Sequence, residues 1–152
     1  ETMLESVQQC ENVVGLKASN GNLQEITEIV RDCSAVRPNF QVVSGDDSLT
    51  VPIMSIGGVG AISVIANVVP DLAAQMISLF RDGQTEAAAK LQQRLMPLSR
   101  ACMEIQASPA GVKAMLRGLG YKVGAPRSPM TDVDDAEAAE LMRVYQEVVD
   151  GE

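Results

Sequence analysis

Three short, mostly apolar runs, each leading into a helix-forming stretch, set the terms for how the first 65 or so residues can fold. Asn12-Val13-Val14-Gly15-Leu16 is the first, with Lys17 at its end. Phe40-Gln41-Val42-Val43 is the second, closed by Ser44-Gly45-Asp46-Asp47, and a third follows at about Ala61 to Ile65. Such runs, apolar without strict alternation, are the pattern of strands covered on both faces of a parallel sheet. Between the first two, Leu23, Ile26, Ile29 and Val30 recur at helical spacing behind Asn20-Gly21-Asn22, which predicts an amphipathic helix ending near Cys33. Pro38 and Asn39 mark a turn. Leu49 to Ile56 predicts a short helix stopped by Gly57-Gly58. Strands alternating with helices at this spacing suit right-handed crossovers and a parallel sheet under helices.

From Pro70 onward the pattern is helical only, over about 70 to 82, 84 to 101, 109 to 118 and 135 to 149, with Gly83, Pro109 and the loop from Gly118 to Pro129 as breaks. Leu141, Val144, Tyr145 and Val148 share a stripe on the last helix. The acidic residues Asp132, Asp134, Asp135 and Glu137 stand at its start, where they complement the helix dipole; a metal site is the alternative reading of the same cluster. Three parallel strands form too small a sheet to stand open, because it would leave two unprotected edges and the strands are apolar enough to need burial on both faces.

The remaining composition narrows the chemistry. With 12 basic against 20 acidic residues, the formal net charge of −8 repels phosphate backbones and anionic lipids, so neither nucleic acid nor a membrane is an expected partner. No apolar run reaches the length of a membrane span and no leader pattern opens the chain. The three cysteines, Cys10, Cys33 and Cys102, are odd in number and widely spaced, which predicts buried reduced thiols and a cytoplasmic setting. There is no histidine, which removes imidazole-based catalysis and the usual metal sets. The eight methionines, Met76, Met96, Met103 and Met115 among them, read as core filler. The Gly57-Gly58-Val59-Gly60 run follows a helix and enters a strand, the reverse of a phosphate-binding loop, and reads as a tight turn.

Chemistry concentrates at the carboxyl ends of parallel strands, where Lys17, Ser44 to Asp47, and Ile62-Ser63 all lie. An amine in a poorly solvated pocket has its charged form disfavoured and is available to attack a carbonyl. A strand-end lysine that merely carries its amine to solvent gives the same local pattern.

The order of residues around that lysine adds a further constraint. VVGLKASNGNL at 13 to 23 resembles the Schiff-base lysine strand of the dihydrodipicolinate synthase and N-acetylneuraminate lyase family, with Lys17 in the place of the imine-forming residue. VVSGDDSLTVPIMSIGGVGAISVIANVVP at 42 to 70 is similar to that family's seventh and eighth strands with the helix between them. QQRLMPL at 92 to 98, SPAGVKAMLRGLG at 108 to 120 and APRSPMT at 125 to 131 extend the likeness in order. ISVIAN at 62 to 67 is closer to the synthases than to the sialate lyases.

The resemblance implies an α/β fold, the C-terminal portion of a TIM (β/α)8 barrel, with strands six to eight over residues 1–69 and the last barrel helix and C-terminal helices over 70–152. It implies a pyruvate-dependent aldolase without a cofactor or metal, in which Lys17 is catalytic and Gly45 and the backbone of Ile62 line the keto-acid pocket. An aldehyde such as aspartate semialdehyde is the second substrate, and a homo-oligomer is the expected assembly. The family's threonine pair, proton-shuttling tyrosine and carboxylate-reading arginine belong to the barrel strands outside this match. Tyr121 and Tyr145 do not take the tyrosine's place, so the chain needs the N-terminal barrel half for turnover. Where many synthases carry Asn-Pro near the pocket rim, this chain reads Ala107-Ser108-Pro109. Three readings stay open: part of a complete synthase, a relative acting on a sugar-derived keto acid, and a truncated non-catalytic paralogue.

Overall fold

The computed structural model describes residues 2–105 and 108–151. The chain divides into two compact units, residues 1–63 and 64–152.

The first unit opens with helix α1 (Thr2–Gln9) and continues through β1 (Gly15–Ala18), α2 (Leu23–Val36), β2 (Gln41–Ser44), α3 (Thr50–Ser55) and β3 (Gly60–Ala61). All pairing is parallel in the order β1-β2-β3, with Lys17 opposite Val43 and Ser44 opposite Ala61. The expected first strand is displaced. Val13 N–H donates to the Cys10 carbonyl at 3.2 Å, closing a turn at 11 and 12, and the strand runs through Lys17 rather than stopping before it. Gly15 allows this start, because a Cβ there would lie 2.5 Å from the Gln41 carbonyl oxygen. The third strand is also shorter than Ala61 to Ile65: it covers two residues, and Ile65–Asn67 forms a single-turn 3₁₀ helix.

One face of the sheet holds the core. Ala18 and Val42 point into a cluster with Val7, Ile26, Cys33, Phe40 and Ile53, contributed by α1, α2, α3 and the strands. Strand residues alternate between faces, so Lys17 and Val43 lie on the other side. Asn22 caps α2 through its side chain, which accepts from Glu25 N–H at 3.2 Å. The glycine run after α3 is a turn, as expected: Gly58 N–H donates to the Ile53 carbonyl at 2.8 Å, and Gly57 has φ +106°, a conformation that favours glycine.

The second unit contains α4 (Pro70–Arg81), α5 (Thr85–Glu104), α6 (Ala110–Gly118) and α7 (Asp135–Asp150). Helix α5 packs against α4, α6 and α7. Its core includes Leu95, Leu98, Cys102, Ala110, Met115 and Leu141, all without solvent exposure. Asp134 and Glu137 form a reciprocal capping box at the start of α7, the two bonds being 2.8 and 2.9 Å. Asp132 is engaged by both its oxygens with Arg117 on α6, at 2.8 and 2.9 Å. Met103 departs from the core-filler expectation, being 56 % exposed, because it lies on the outer face near the end of α5. Cys10 departs from the buried-thiol expectation: it follows α1 and is exposed, whereas Cys33 and Cys102 are buried. Among the described residues no helix is long and apolar enough to cross a membrane.

Candidate functional site

Lys17 is the third residue of β1, and its side chain rises from the sheet face opposite the apolar core. It is exposed within its unit, unlike the enclosed amine that the sequence suggests. The reason is local: α1, α2 and α3 all pack on the other face, through residues that include Val7, Ile26 and Ile53. Among the described residues its ammonium makes no hydrogen bond or ion pair with a protein group.

The expected neighbours converge on this lysine in different degrees. Gly45 N–H donates to the Ala18 carbonyl at 2.7 Å, which ties the end of β2 to the end of β1. A Cβ built on Gly45 would lie 2.6 Å from Lys17 Cε and 2.9 Å from Cγ, so the lysine stem passes directly over the glycine. The missing side chain is what makes room for the amine's stem. Ile62 N–H donates to the Ser44 carbonyl at 2.7 Å, bringing the backbone after β3 to the same end of the sheet. The Ile62 side chain is 54 % exposed.

The Asp46 carboxylate at this end is committed to turn structure. Asp46 accepts from Ser48 N–H and Oγ at 2.8 and 2.7 Å, and Ser44 Oγ donates to the Asp46 carbonyl at 2.6 Å. These bonds hold the 44 to 48 turn rigid beneath the lysine's strand end. Tyr121, which is exposed, and Tyr145 on α7 both belong to the helical unit. Of the Ala107-Ser108-Pro109 stretch, Ala107 lies outside the described residues.

Sequence reasoning overlooked one residue at this end. Ser19, two positions after Lys17, stands with its Oγ 1.9 Å from that same vacant Cβ position on Gly45. The available signal was the period of two: residues 15, 17 and 19 share a strand face.

The chain matches the model of the dihydrodipicolinate synthetase family over residues 1–148. It belongs to that family. The 4-hydroxy-tetrahydrodipicolinate synthase of Listeria monocytogenes is 38 % identical over 135 residues, covering 89 % of this chain and 45 % of the relative. The dihydrodipicolinate synthase of Thermotoga maritima superposes with a TM-score of 0.92 at 28 % identity, over 97 % of this chain and 50 % of that one. That of Aquifex aeolicus gives 0.88 at 32 %, over 96 % and 48 %. The chain thus spans about half the length of the dihydrodipicolinate synthetase relatives it matches. Its fold is a partial (β/α)8 barrel, three parallel strands with their helices, followed by a C-terminal helical segment.

Proposed function

We propose that Lys17 is the Schiff-base lysine of a pyruvate-dependent carbon–carbon lyase, and that the 152 residues supply the nucleophilic half of its site. The observation that carries this reading is the Lys17 stem lying over Gly45 at the carboxyl end of a parallel sheet, in a chain of this family. The strands are then the sixth to eighth of the barrel, residues 1–69, with the last barrel helix and the C-terminal helices over 70–152.

In this reading the neutral Lys17 amine attacks the keto carbon of pyruvate. The carbonyl π pair moves to oxygen, which takes up the proton released by nitrogen, and loss of water gives the imine. Loss of a methyl proton then gives an enamine, whose carbon adds to an aldehyde. Gly45 makes room for the amine's stem and, with the Ile62 backbone, lines the pocket that takes the keto acid. The second substrate in this reading is aspartate semialdehyde, the aldehyde that the resemblance to the synthases implies. No metal or cofactor enters.

The proton relay and the group that reads the second substrate come from barrel strands outside these residues, because neither Tyr121 nor Tyr145 sits in the sheet unit. The 152 residues alone therefore hold the nucleophile for pyruvate but are inactive or nearly so in turnover, since a positioned relay contributes roughly 10² to 10⁴ in rate. A homo-oligomer of the complete barrel in the cytoplasm is part of the same reading.

Incubation with pyruvate and borohydride, followed by peptide mapping, tests the proposal. A reduced adduct on Lys17, absent from a folded Lys17→Arg variant, is expected; no adduct on a folded wild-type sample refutes it.

A further inference from the structure

We infer that Ser19 is a positioning residue for the Lys17 amine, an inference that rests on the Schiff-base reading above. Three atoms crowd the space that a Gly45 side chain would fill: Ser19 Oγ at 1.9 Å, Lys17 Cε at 2.6 Å and Lys17 Cγ at 2.9 Å. The serine hydroxyl and the end of the lysine stem are therefore neighbours above one glycine. Among the described residues that hydroxyl makes no hydrogen bond, so it is available to the amine.

The turn that carries Ser19 is held in place on its far side. Asn20 Nδ2 donates to Glu25 Oε2 at 2.7 Å, Asn22 N–H donates to Asn20 Oδ1 at 3.2 Å, and Asn22 in turn caps α2. On its near side, the Gly45 N–H to Ala18 carbonyl bond fixes the residue just before it. Ser19 is thus the terminus of a braced segment, with its side chain on the lysine's face of the strand. A rotation of the lysine end brings Nζ within reach of this oxygen, which then accepts from one Nζ hydrogen during capture and restricts the swing of the amine, so that the nitrogen lone pair meets an incoming keto carbon. Bond making in the capture step is unchanged; the serine sets direction and is neither consumed nor deprotonated.

A positioning role separates from a structural one by how capture saturates. Rates of borohydride-trapped adduct formation are measured against pyruvate concentration for wild type, Ser19→Ala and Ser19→Thr, with melting temperatures recorded alongside. Ser19→Ala is expected to lower the maximal capture rate roughly tenfold, the loss of about one hydrogen bond, with half-saturating pyruvate and melting temperature unchanged. Ser19→Thr, which keeps the hydroxyl, is expected to restore the rate. Capture by Ser19→Ala at the wild-type maximal rate overturns the inference, as does failure of folded Ser19→Thr to recover. A fall in melting temperature that accounts for the lost rate overturns it too. A wild-type sample that forms no adduct overturns the Schiff-base reading itself, and is told apart because the defect then precedes any substitution.

Discussion

The two units of this chain solve burial in opposite ways. In the helical unit, four helices surround one core and α7 is closed at both ends by side chains: the Asp134 and Glu137 capping box at its start and Arg94 at its end, which donates to the Val148 and Val149 carbonyls at 2.8 Å each, while the Arg117–Asp132 pair ties α6 to the segment before α7. In the sheet unit, helices cover one face and leave the other with a lysine on it, while Val14 beside β1 is 63 % exposed. The difference teaches where each unit keeps its specificity. The helical unit is stabilised by what it packs, whereas the sheet unit is organised around a position that must not be filled.

The sharpest way to break the helical side of that contrast is to hollow its core. Leu141 is completely buried on α7, so Leu141→Ala is expected to lower unfolding free energy by about 2 to 5 kcal/mol, read by denaturant titration. A loss under about 1 kcal/mol shows that α7 is loosely docked. On the sheet side the corresponding change adds atoms. Gly45→Ala is expected to slow pyruvate capture by about a hundredfold, through displacement of the lysine end, while melting shifts little because flexible side-chain tips can give way. Unchanged capture kinetics rule out the glycine as the lysine's clearance.

Between these lies the capping box. Asp134→Ala is expected to cost about 1 kcal/mol, visible as a lower melting temperature, with loss of amide protection confined to the first turn of α7. The smallest effect concerns acid. Hydrogen bonding from Arg117 holds the Asp132 carboxyl below its ordinary value, so the pair's contribution is present above that value and is lost as pH falls through the depressed one. The melting difference between wild type and Asp132→Asn should accordingly be constant near neutrality and vanish in strong acid. A difference that grows on acidification excludes this pair as its source.

Much of this was legible in the residues. The apolar runs and the helical spacing placed the three strands to within a few residues and helices α2 to α7, because burial dictates those periods directly. Boundaries were less legible where a single contact decides them. β1 starts at Gly15 because only a glycine fits against the Gln41 carbonyl, a fact about its partner strand. β3 ends early because Val64 onward turns into a 3₁₀ helix with no glycine or proline to announce it. At the site, the convergence of Lys17 and Gly45 followed from the likeness to known lysine strands. Ser19 did not, since its neighbour is a vacant volume 26 positions away rather than a residue. The exposures of Met103 and Cys10 were invisible for a related reason: both belong to chemically apolar types whose position at an element's end decides their fate.

Arg37 carries a consequence for how the sheet unit assembles. Its guanidinium donates to the carbonyls of Val7, Cys10 and Glu11, at 2.9, 3.2 and 2.8 Å, and so terminates a helix that has no basic residue in its own last turn. An eight-residue helix is marginal alone, and this one receives its end group from a residue 26 to 30 positions later. α1 is therefore acquired with the α2–β2 connection rather than before it, and its amides should exchange with solvent in step with those of the strands instead of fraying on their own.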